Sequence, residues 1–253
     1  MLDLPRIIGH RGAAAEAPEN TLASIRAAHA AGTRMVEFDV KLTADDEPVL
    51  LHDDRLERTT DGRGPVRERS LEEVRALDAG GWFDRRFAGE RVPHLDQAIA
   101  LCLELGLRVN VEIKPCPGRE VRTAEVTLER LRAIWPAAAP APLVSSFEEA
   151  ALEVARDRQP DWPRGYLCEA LAPDWQARLA RLGCATLNLG WRRLSRSDVA
   201  TLRAAGVPLL VYTVNDVDRA RRLLAWGVSA LFTDTVGSLI RAGLDRPAPR
   251  PAQ

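Results

Sequence analysis

The sequence predicts an α/β fold, a single (β/α)8 barrel of the TIM type. Short strand-like runs alternate with longer amphipathic runs of helical period, which is typical of βα units and a parallel sheet. The chain has 253 residues, a length of about 250 residues that such barrels commonly reach as one domain. Nine strands are predicted rather than eight, and the spacing between two of them accounts for the extra one.

The predicted strands are short, and they span residues 6–9, 35–42, 48–51, 108–113, 143–146, 165–167, 186–189, 209–214 and 230–233. Only the segment Thr43–Glu47 separates the second strand from the third. A parallel crossover needs about a dozen residues or more, so these two strands must form an antiparallel β-hairpin. Without this return strand, eight strands remain for the barrel.

Amphipathic runs between the strands predict the helices, which span residues 20–31, 96–105, 119–135, 147–158, 173–182, 195–205 and 217–226. Asn20 and Thr21 are candidate caps of the first helix, which ends at Gly32. Within 119–135, apolar residues recur with helical period at Val121, Ala124, Leu128, Leu131 and Trp135. The helices would cover the outer face of the strands.

Two segments interrupt the alternation. Residues 53–93 form a long, charged, turn-rich insertion after the return strand. Long excursions of this kind are more often functional than accidental. Residues 246–253 are proline-rich and are predicted to be a disordered tail. We therefore expect one barrel domain over residues 1–245 that contains the insertion.

Composition argues against several classes of protein. The 35 basic and 36 acidic residues give a net charge of −1, which leaves no bulk electrostatic surface for nucleic acid or an anionic membrane. No apolar run approaches the length of about 20 residues that spans a membrane, and no secretory signal is visible. The four cysteines show no metal-binding spacing. We expect a cytoplasmic protein with reduced thiols and no stable membrane association, as a monomer or homodimer.

Acidic residues on two predicted strands are the main functional signal. Glu37, Asp39 and Lys41 alternate with apolar residues and so share one face of their strand. Glu112 and Lys114 repeat the pattern. Helices cover the apolar face, so the charged face turns toward the barrel axis. Three converging carboxylates repel one another unless a divalent cation binds, and hard oxygen donors suit Mg²⁺ or Ca²⁺ better than zinc. A solvated antiparallel face or a buried salt-bridge network is the alternative interpretation.

Two of the four histidines end predicted strands. His10 ends the first strand and His52 ends the return strand, where barrel enzymes hold catalytic groups. If the hairpin turn centres on Asp45–Asp46, His52 lies beside Asp39. We therefore predict that His10 and His52 form an acid/base pair. The other two histidines lie in or next to predicted helices and are expected to be structural.

Arg11 follows His10 directly, and Gly12 allows the backbone to turn sharply after it. A guanidinium fork beside a divalent cation and two histidines suits a phosphate. An ion pair with Glu19 or Asp234 is the alternative for Arg11. Asp234 follows the last strand, which closes beside the first, so it is a candidate to orient His10 or Arg11.

Lysine is rare in this chain, which has 33 arginines but only Lys41 and Lys114. Each lysine lies two residues past a predicted metal ligand. Lys114 is predicted to add a second positive charge for a phosphate, at a place where a compact ammonium fits and a guanidinium does not. For Lys41, an ion pair with the acidic hairpin tip is the alternative.

These residues belong to an ordered set of motifs that resembles the glycerophosphodiester phosphodiesterases, of the bacterial cytosolic type. The motifs are HRG at 10–12, PENT at 18–21, EFDV at 37–40, PVLLHD at 48–53, AGGWF at 79–83, GERVP at 89–93, VEIK at 111–114 and YTVN at 212–215. The resemblance extends from about Ile7 to Leu239. It departs from the family pattern at Tyr212, where Trp is usual, and at Asp45–Glu47, where the usual turn is Lys-Asp-Gly.

The resemblance implies a TIM-type barrel that hydrolyses glycerophosphodiesters, such as glycerophosphocholine or glycerophosphoethanolamine, to glycerol 3-phosphate and an alcohol. It implies a reaction through a cyclic phosphodiester, with His10 and His52 as acid and base. It also implies one divalent ion, Mg²⁺ or Ca²⁺. The implied ligands are Glu37, Asp39 and Glu112, and the implied phosphate contacts are Arg11 and Lys114.

Further residues are predicted to complete the site. Tyr212 and Trp82 are expected to contact the substrate. The residues expected to support the others are Asn20, Glu19, Asp234 and Lys41.

Three other functions are weighed against this one. A lysophospholipase D acting on lipids would need an apolar patch near the site, to which Trp82 and Phe83 could contribute. A non-enzymatic phosphodiester-binding barrel would lack a catalytic group, and none is missing. A metal hydrolase of the phosphotriesterase kind would carry a His-x-His pair on its first strand, which this chain does not.

Overall fold

A computed structural model describes residues 3–246. Its strands are β1 (Ile7–Gly9), β2 (Met35–Leu42), β3 (Pro48–Leu50), β4 (Arg108–Ile113), β5 (Leu143–Ser146), β6 (Arg164–Cys168), β7 (Thr186–Gly190), β8 (Leu209–Tyr212) and β9 (Ala230–Thr233). All nine predicted strands are confirmed. The tail predicted at 246–253 lies outside the described residues except for Arg246, whose carbonyl accepts a hydrogen bond of 2.8 Å from Arg6 Nη1.

The helices are α1 (Leu22–Ala30), α2 (Leu71–Arg75), α3 (Leu95–Glu104), α4 (Glu120–Ile134), α5 (Glu149–Arg158), α6 (Trp175–Leu182), α7 (Arg196–Ala204), α8 (Val217–Trp226) and α9 (Val236–Arg241). The predicted helices are all present, and α2 and α9 are additional. Thr21 caps α1, because its side chain accepts a hydrogen bond from the backbone N–H of Ser24. Among the described helices, none is long and apolar enough to cross a membrane.

Eight parallel strands close into a barrel. β1 pairs with β2 at Gly9 and Val36 and with β9 at Ile8 and Phe232, so the first and last strands of the alternation meet. Each crossover between parallel strands contains a helix, as the βα alternation predicts. The (β/α)8 fold class is therefore confirmed.

β3 is the ninth strand, and it runs antiparallel to β2 as predicted. The register differs by one residue from the expected one: the Leu51 N–H donates to the Asp39 carbonyl, so Leu51 rather than His52 lies opposite Asp39. The register shifts because the turn between the strands is closed by a hydrogen bond from the Thr43 N–H to the Glu47 carbonyl. The turn is therefore centred on Asp45, and not between Asp45 and Asp46 as expected. His52 follows Leu51 and still reaches the site.

The two faces of β2 divide as the alternation predicts. Val36, Phe38 and Val40 are buried in the main hydrophobic core outside the barrel sheet, whereas the charged residues between them turn inward. A separate apolar layer fills the barrel interior; it includes Ile8, Met35, Leu143, Leu210, Ala230 and Phe232. The charged end of the barrel therefore lies above a packed apolar layer.

One predicted core position is wrong. Val121 is 49% exposed, whereas Ala124, Leu128 and Leu131 on the same helix are buried. The buried face of α4 is formed by Thr123, Ala124, Thr127, Leu128 and Leu131, and Val121 lies at the edge of this face. The insertion has a small core of its own, which packs against β3 and consists mainly of Leu56, Val66, Val74, Ala79 and Val92.

Candidate active site

A cavity of about 210 Å³ opens at the carboxyl ends of the barrel strands. Its lining residues are His10, Arg11, Glu37, His52, Asn110, Glu112, Lys114, Phe147, Leu167, Glu169, Tyr212, Thr213 and Phe232. The fold thus brings together in space most of the predicted site residues, from five different strand ends and the segment after β3. Catalytic groups of barrel enzymes lie at this end of the strands.

Three carboxylates meet at the floor of the cavity. Glu37 and Asp39 lie two residues apart on β2, and Glu112 lies opposite Asp39 on β4. One oxygen of each lies within 4.8 Å of the others, and all three residues are buried. Burial, together with the charges of Asp39 and Glu112, raises the pKa of Glu37 well above its ordinary value. Burial and the charge of Asp39 also raise the pKa of Glu112.

This donor set fits a divalent cation. Glu37 Oε1 is buried and has no hydrogen-bond partner among the described residues, which is costly for a carboxylate oxygen. A cation bound between the three carboxylates would satisfy this oxygen and offset the repulsion that raises the pKa of Glu37. Three hard oxygen donors suit Mg²⁺ or Ca²⁺.

Asp39 differs from the other two carboxylates. Burial alone would raise its pKa, but the charges of Arg11, His52 and Lys114 lower it below its ordinary value. Asn20 fixes the side chain, because its Nδ2 donates to Asp39 Oδ2 at 2.9 Å and its Oδ1 accepts from the Asp39 N–H at 3.1 Å. Asn20 therefore supports a predicted metal ligand, as expected from the sequence.

His10 is oriented by Asp234. Its Nδ1 lies 2.7 Å from Asp234 Oδ1, and its Nε2 lies 4.0 Å from Glu37 Oε2. Burial would raise the pKa of Asp234, but the hydrogen bond with His10 lowers it, so Asp234 is a carboxylate and His10 Nδ1 carries the proton. Asn215 donates to Asp234 Oδ2 at 2.7 Å. The remaining nitrogen, Nε2, is left to face the cavity.

His52 has the same arrangement on the opposite side. Its Nδ1 lies 2.7 Å from Asp53 Oδ1. Hydrogen bonds from Arg58 lower the pKa of Asp53, so this partner is also a carboxylate. Burial and the nearby Arg11 and Lys114 charges lower the pKa of His52. The sequence indicated neither the partner Asp53 nor Arg58.

Arg11 is held in an uncommon backbone conformation, with φ at +52°. Its N–H donates to Glu37 Oε2 at 3.0 Å, and its Nη1 donates to Glu19 Oε1 at 2.7 Å. Gly12 follows with φ at +87°, and a Cβ there would lie 2.4 Å from Ser24 Oγ, so only glycine fits. Of the two ion pairs considered for Arg11, the one with Glu19 is present.

Lys114 lies between acidic and aromatic groups. Its Nζ donates to Glu112 Oε1 at 2.8 Å, lies 3.9 Å from Asp39 Oδ1, and stands 5.0 Å from the centre of the Phe147 ring. Burial would lower the pKa of Lys114, but Glu112 and Asp39 raise it. Lys114 is therefore an ammonium at the cavity wall.

The comparisons with known proteins agree with this geometry. Residues 10–238 match the glycerophosphoryl diester phosphodiesterase family. The chain belongs to this family. It is therefore a phosphodiesterase, of a hydrolase family that acts on glycerophosphodiesters.

Relatives of this phosphodiesterase cover nearly the whole chain. A glycerophosphodiester phosphodiesterase of Caldanaerobacter subterraneus is 32% identical over 94% of this chain and 98% of its own length. One of Bacillus subtilis is 29% identical over 90% of this chain and 82% of its own length. A solved phosphodiesterase of Oleispira antarctica, in complex with the product sn-glycerol-3-phosphate, is 40% identical with a TM-score of 0.92, over 94% of this chain and 96% of that one.

The far wall of this phosphodiesterase's cavity is aromatic and carries one acid. The Tyr212 ring meets the Phe147 ring edge-on at 5.8 Å, and the Tyr212 hydroxyl donates to the Cys168 carbonyl at 2.9 Å. Burial raises the pKa of Tyr212, which keeps it a phenol. Glu169 lies above Gly190, where a Cβ would come within 3.3 Å of Glu169 Oε2. Tyr212 lies in the cavity as predicted from its sequence motif, whereas no sequence motif pointed to Phe147 or Glu169.

Two predicted site residues, Lys41 and Trp82, neither line the cavity nor bond to the side chain of a cavity residue within residues 3–246. Lys41 is buried, and its Nζ donates to Asp54 Oδ1 at 2.7 Å and to the Lys114 carbonyl at 3.0 Å. The suggested pairing of Lys41 with the hairpin tip is wrong, because Asp46 at that tip pairs with Arg119 instead. Lys41 thus holds the backbone that carries Lys114.

Trp82 is the second. It lies in the insertion and is 42% exposed, and its Nε1 donates to the Ala79 carbonyl at 2.9 Å. Its ring packs edge-on against Phe83 at 5.7 Å. The turn that carries it is closed on Asp78, which accepts hydrogen bonds from the N–H groups of Gly80 and Gly81. The structure therefore does not bring Trp82 to the cavity wall, and its substrate contact stays a prediction.

Proposed function

We propose that this phosphodiesterase hydrolyses small, water-soluble glycerophosphodiesters, such as glycerophosphocholine or glycerophosphoethanolamine, to glycerol 3-phosphate and an alcohol. One observation carries the proposal: two histidines, each bonded through Nδ1 to an aspartate, line the same cavity as Arg11, Lys114 and the carboxylates. The glycerol 3-phosphate in the Oleispira relative supports the choice of product.

Glu37, Asp39 and Glu112 would hold one divalent metal ion, Mg²⁺ or Ca²⁺. When bound, such an ion lowers the pKa of a coordinated hydroxyl and offsets charge on a phosphoryl oxygen. Asn20 keeps Asp39 oriented, and the Arg11 N–H keeps Glu37 oriented.

The two histidines move the protons. In the first step, Nε2 of one histidine takes the proton of the glycerol 2-hydroxyl as this oxygen attacks phosphorus. The bond from phosphorus to the alcohol oxygen breaks, and the other histidine protonates that oxygen. A cyclic phosphodiester and the free alcohol result. Water then opens the ring with the two roles reversed, which gives glycerol 3-phosphate and restores both histidines.

The Asp–His pairs suit this reversal of roles. Each aspartate holds one tautomer and stabilises the imidazolium when it forms. Because His10 and His52 have equivalent partners, either can act as base in one step and as acid in the next. Arg11 and Lys114 would offset the negative charge that grows on the phosphoryl oxygens.

The alternative lipid substrate is not favoured by the surface. Within residues 3–246, the large exposed apolar side chains are Trp82 and Val121. Trp82 packs with Phe83 and Phe87 in the insertion, whereas Val121 lies at the start of α4. None of these four side chains lines the cavity, so they offer no apolar surface for an acyl chain at the site. A purely binding role is disfavoured because both histidines and all three carboxylates of the family's motifs are in place.

A head-group panel tests the proposal. Glycerophosphocholine, glycerophosphoethanolamine and lysophosphatidylcholine are each incubated with the protein, and release of glycerol 3-phosphate and of choline is measured. We expect turnover of the two glycerophosphodiesters, loss with EDTA, and recovery with Mg²⁺ or Ca²⁺. A Glu112→Gln variant, assayed in parallel, is expected to show no recovery. Faster choline release from lysophosphatidylcholine than from glycerophosphocholine would contradict the proposal.

A further inference from the structure

An arginine of the insertion connects the two sides of the site. Arg58 donates through Nη1 to Glu19 Oε2 at 2.7 Å and through Nη2 to Glu19 Oε1 at 2.8 Å. It also donates through Nε to Asp53 Oδ2 at 2.6 Å and through Nη2 to Asp53 Oδ1 at 3.0 Å. Arg58 thus forms a two-pronged contact with each of two carboxylates, the strongest geometry available to a guanidinium.

Each of these carboxylates holds a different site residue. Glu19 Oε1 accepts from Arg11 Nη1 at 2.7 Å, and Asp53 Oδ1 lies 2.7 Å from His52 Nδ1. The chain of contacts runs from Arg11 through Glu19, Arg58 and Asp53 to His52. A group proposed to bind phosphate and a group proposed to move protons are therefore tied together by one side chain.

The backbone that presents Arg58 is itself fixed. Leu56 is buried in the insertion core, and its N–H donates to the Gly64 carbonyl at 3.1 Å. The Leu56 carbonyl accepts hydrogen bonds from the Thr60 N–H at 3.1 Å and from the Thr60 hydroxyl at 2.7 Å. The turn that carries Arg58 is thus closed on both sides, which limits the conformational freedom lost in making the link.

Arg58 does not line the cavity, and four of its five N–H groups are engaged by Glu19 and Asp53, so it is not a phosphate ligand. Isolated surface ion pairs contribute little, but this one is a network of two bidentate contacts over residues that are partly buried. Its consequence is geometric. It sets the distance between Arg11 and His52.

We propose that Arg58 is a positioning residue for the phosphodiesterase reaction, which fixes Arg11 and His52 relative to each other through Glu19 and Asp53. The inference rests on the proposed function of His52 and Arg11. It also gives the insertion a role, because the insertion supplies two links in this chain of contacts, Asp53 and Arg58.

Steady-state kinetics of Arg58→Ala, Arg58→Lys and Arg55→Ala with glycerophosphocholine test it. Misplacement of a catalytic group by about 1 Å costs up to about a hundredfold. We expect kcat of Arg58→Ala to fall about tenfold to a hundredfold with little change in KM. Arg58→Lys keeps the charge but cannot form bidentate hydrogen bonds with both Glu19 and Asp53, so most of the loss in kcat is expected to remain. Arg55→Ala is the matched control: Arg55 lies in the same turn, its side chain is 62% exposed, and its ion pair is with Glu57 rather than with a residue of the site.

A rescue experiment separates positioning from folding. Arg58 is 43% exposed, so guanidinium ion can enter the space left in Arg58→Ala. Millimolar guanidinium chloride is expected to restore part of kcat, whereas tetramethylammonium chloride at equal concentration is not. Melting temperatures are measured for each variant. If Arg58→Ala melts below the assay temperature, Arg58→Lys carries the test.

The outcomes are distinct. Wild-type kcat in Arg58→Lys, a change in KM alone, or the absence of any guanidinium rescue in folded Arg58→Ala would overturn the positioning role. In the same assay, His52→Ala reports on the proposed function itself. If His52→Ala kept its rate, the proposed function would fail; if only the Arg58 variants kept theirs, this inference alone would fail.

Discussion

The two halves of the barrel mouth are built from different chemistry. The half formed by β1, β2 and β4 presents His10, Glu37, Glu112 and Lys114 to the cavity. The half formed by β5, β6 and β8 presents mainly apolar and aromatic groups, among them Phe147, Leu167 and Tyr212. Both halves surround one cavity of the same barrel. Under the proposed function, we expect the charged half to perform the reaction and the aromatic half to shape the space for the substrate.

The charged half can be buried only because its charges support one another. Asp39 has Asn20, Arg11 and Lys114 around it, and its pKa is lowered despite complete burial. Glu37 has fewer partners, and its pKa is raised. A buried charge without compensation is costly, so the raised pKa of Glu37 supports the proposal that a cation would bind between these carboxylates. The aromatic half carries one acid, Glu169, and no cluster of carboxylates among the described residues.

If the charged half performs the reaction, the largest loss of activity is expected on replacing its histidines. His10→Ala and His52→Ala are each expected to lower kcat by about 10²–10⁴-fold, the usual contribution of a general acid or base. Steady-state assays with metal present, alongside melting temperatures, measure this. Both variants should remain folded, because each histidine is partly exposed and bonded to one aspartate. A rate near that of the wild type in either variant would contradict the assignment of the reaction to the charged half.

Lys114→Arg tests whether the charged half requires a compact ammonium at this position or only a positive charge. The Lys114 ammonium lies 2.8 Å from Glu112 Oε1 and 5.0 Å from the centre of the Phe147 ring, and a longer, planar guanidinium would place its charge differently against both groups. We expect kcat/KM to fall by more than about tenfold, equivalent to about 1.4 kcal/mol.

The other lysine supplies the control. Lys41→Arg alters a side chain buried outside the cavity, so overpacking is expected to lower the free energy of unfolding by about 1–3 kcal/mol with a smaller effect on kcat. Unchanged kinetics in Lys114→Arg would show that the rarity of lysine is a matter of composition alone.

Glu37→Gln is expected to change stability in opposite directions with and without metal. The raised pKa of Glu37 means that its ionised form destabilises the metal-free fold at neutral pH, and that this cost is lost as the pH falls through the raised pKa. In EDTA at neutral pH, Glu37→Gln should therefore unfold at a higher temperature, by about 2–4 °C for each ~1 kcal/mol. With excess Mg²⁺ or Ca²⁺, the wild type should be the more stable of the two.

Thermal unfolding at pH 7.5 and pH 5.5 in EDTA measures the first effect. The wild type should gain more stability than Glu37→Gln on acidification. Glu112→Gln is the matched comparison, since Glu112 already accepts a hydrogen bond from Lys114 and should gain less from neutralisation. A wild type that is more stable than Glu37→Gln in EDTA at pH 7.5 would contradict the raised pKa.

The charged half could be predicted from the sequence because strand geometry fixes it. Alternation in β2 dictates that Glu37 and Asp39 share a face, and the short connection to β3 requires a hairpin that returns His52 to the same level. These are constraints of period and length, and they hold whatever the rest of the chain does. Even the one-residue error in register left His52 at the site.

The residues that were missed lie in loops or depend on distant contacts. Phe147 and Glu169 follow β5 and β6, and nothing in their local sequence shows that they point into the cavity. Arg58 is one of 33 arginines, and its link to Glu19 spans 39 positions in sequence. Helix α9 was missed because Val236–Arg241 is short and lacks a side-chain cap. Such features require the tertiary fold.

The smallest effect is expected at Tyr212, where the family usually has Trp. The Tyr212 side chain packs against Phe147 and bonds to the Cys168 carbonyl, and it belongs to the aromatic half. Tyr212→Trp should therefore change kcat/KM by less than about tenfold, mainly through KM, since no proton passes through this wall. Tyr212→Phe separates the two contributions: it keeps the ring contact and removes one hydrogen bond, at a cost in stability of about 0.5–1.5 kcal/mol. Kinetics with glycerophosphocholine and glycerophosphoethanolamine measure both variants. A fall in kcat as large as that of His52→Ala would place Tyr212 with the reacting groups and erase the distinction between the two halves of the mouth.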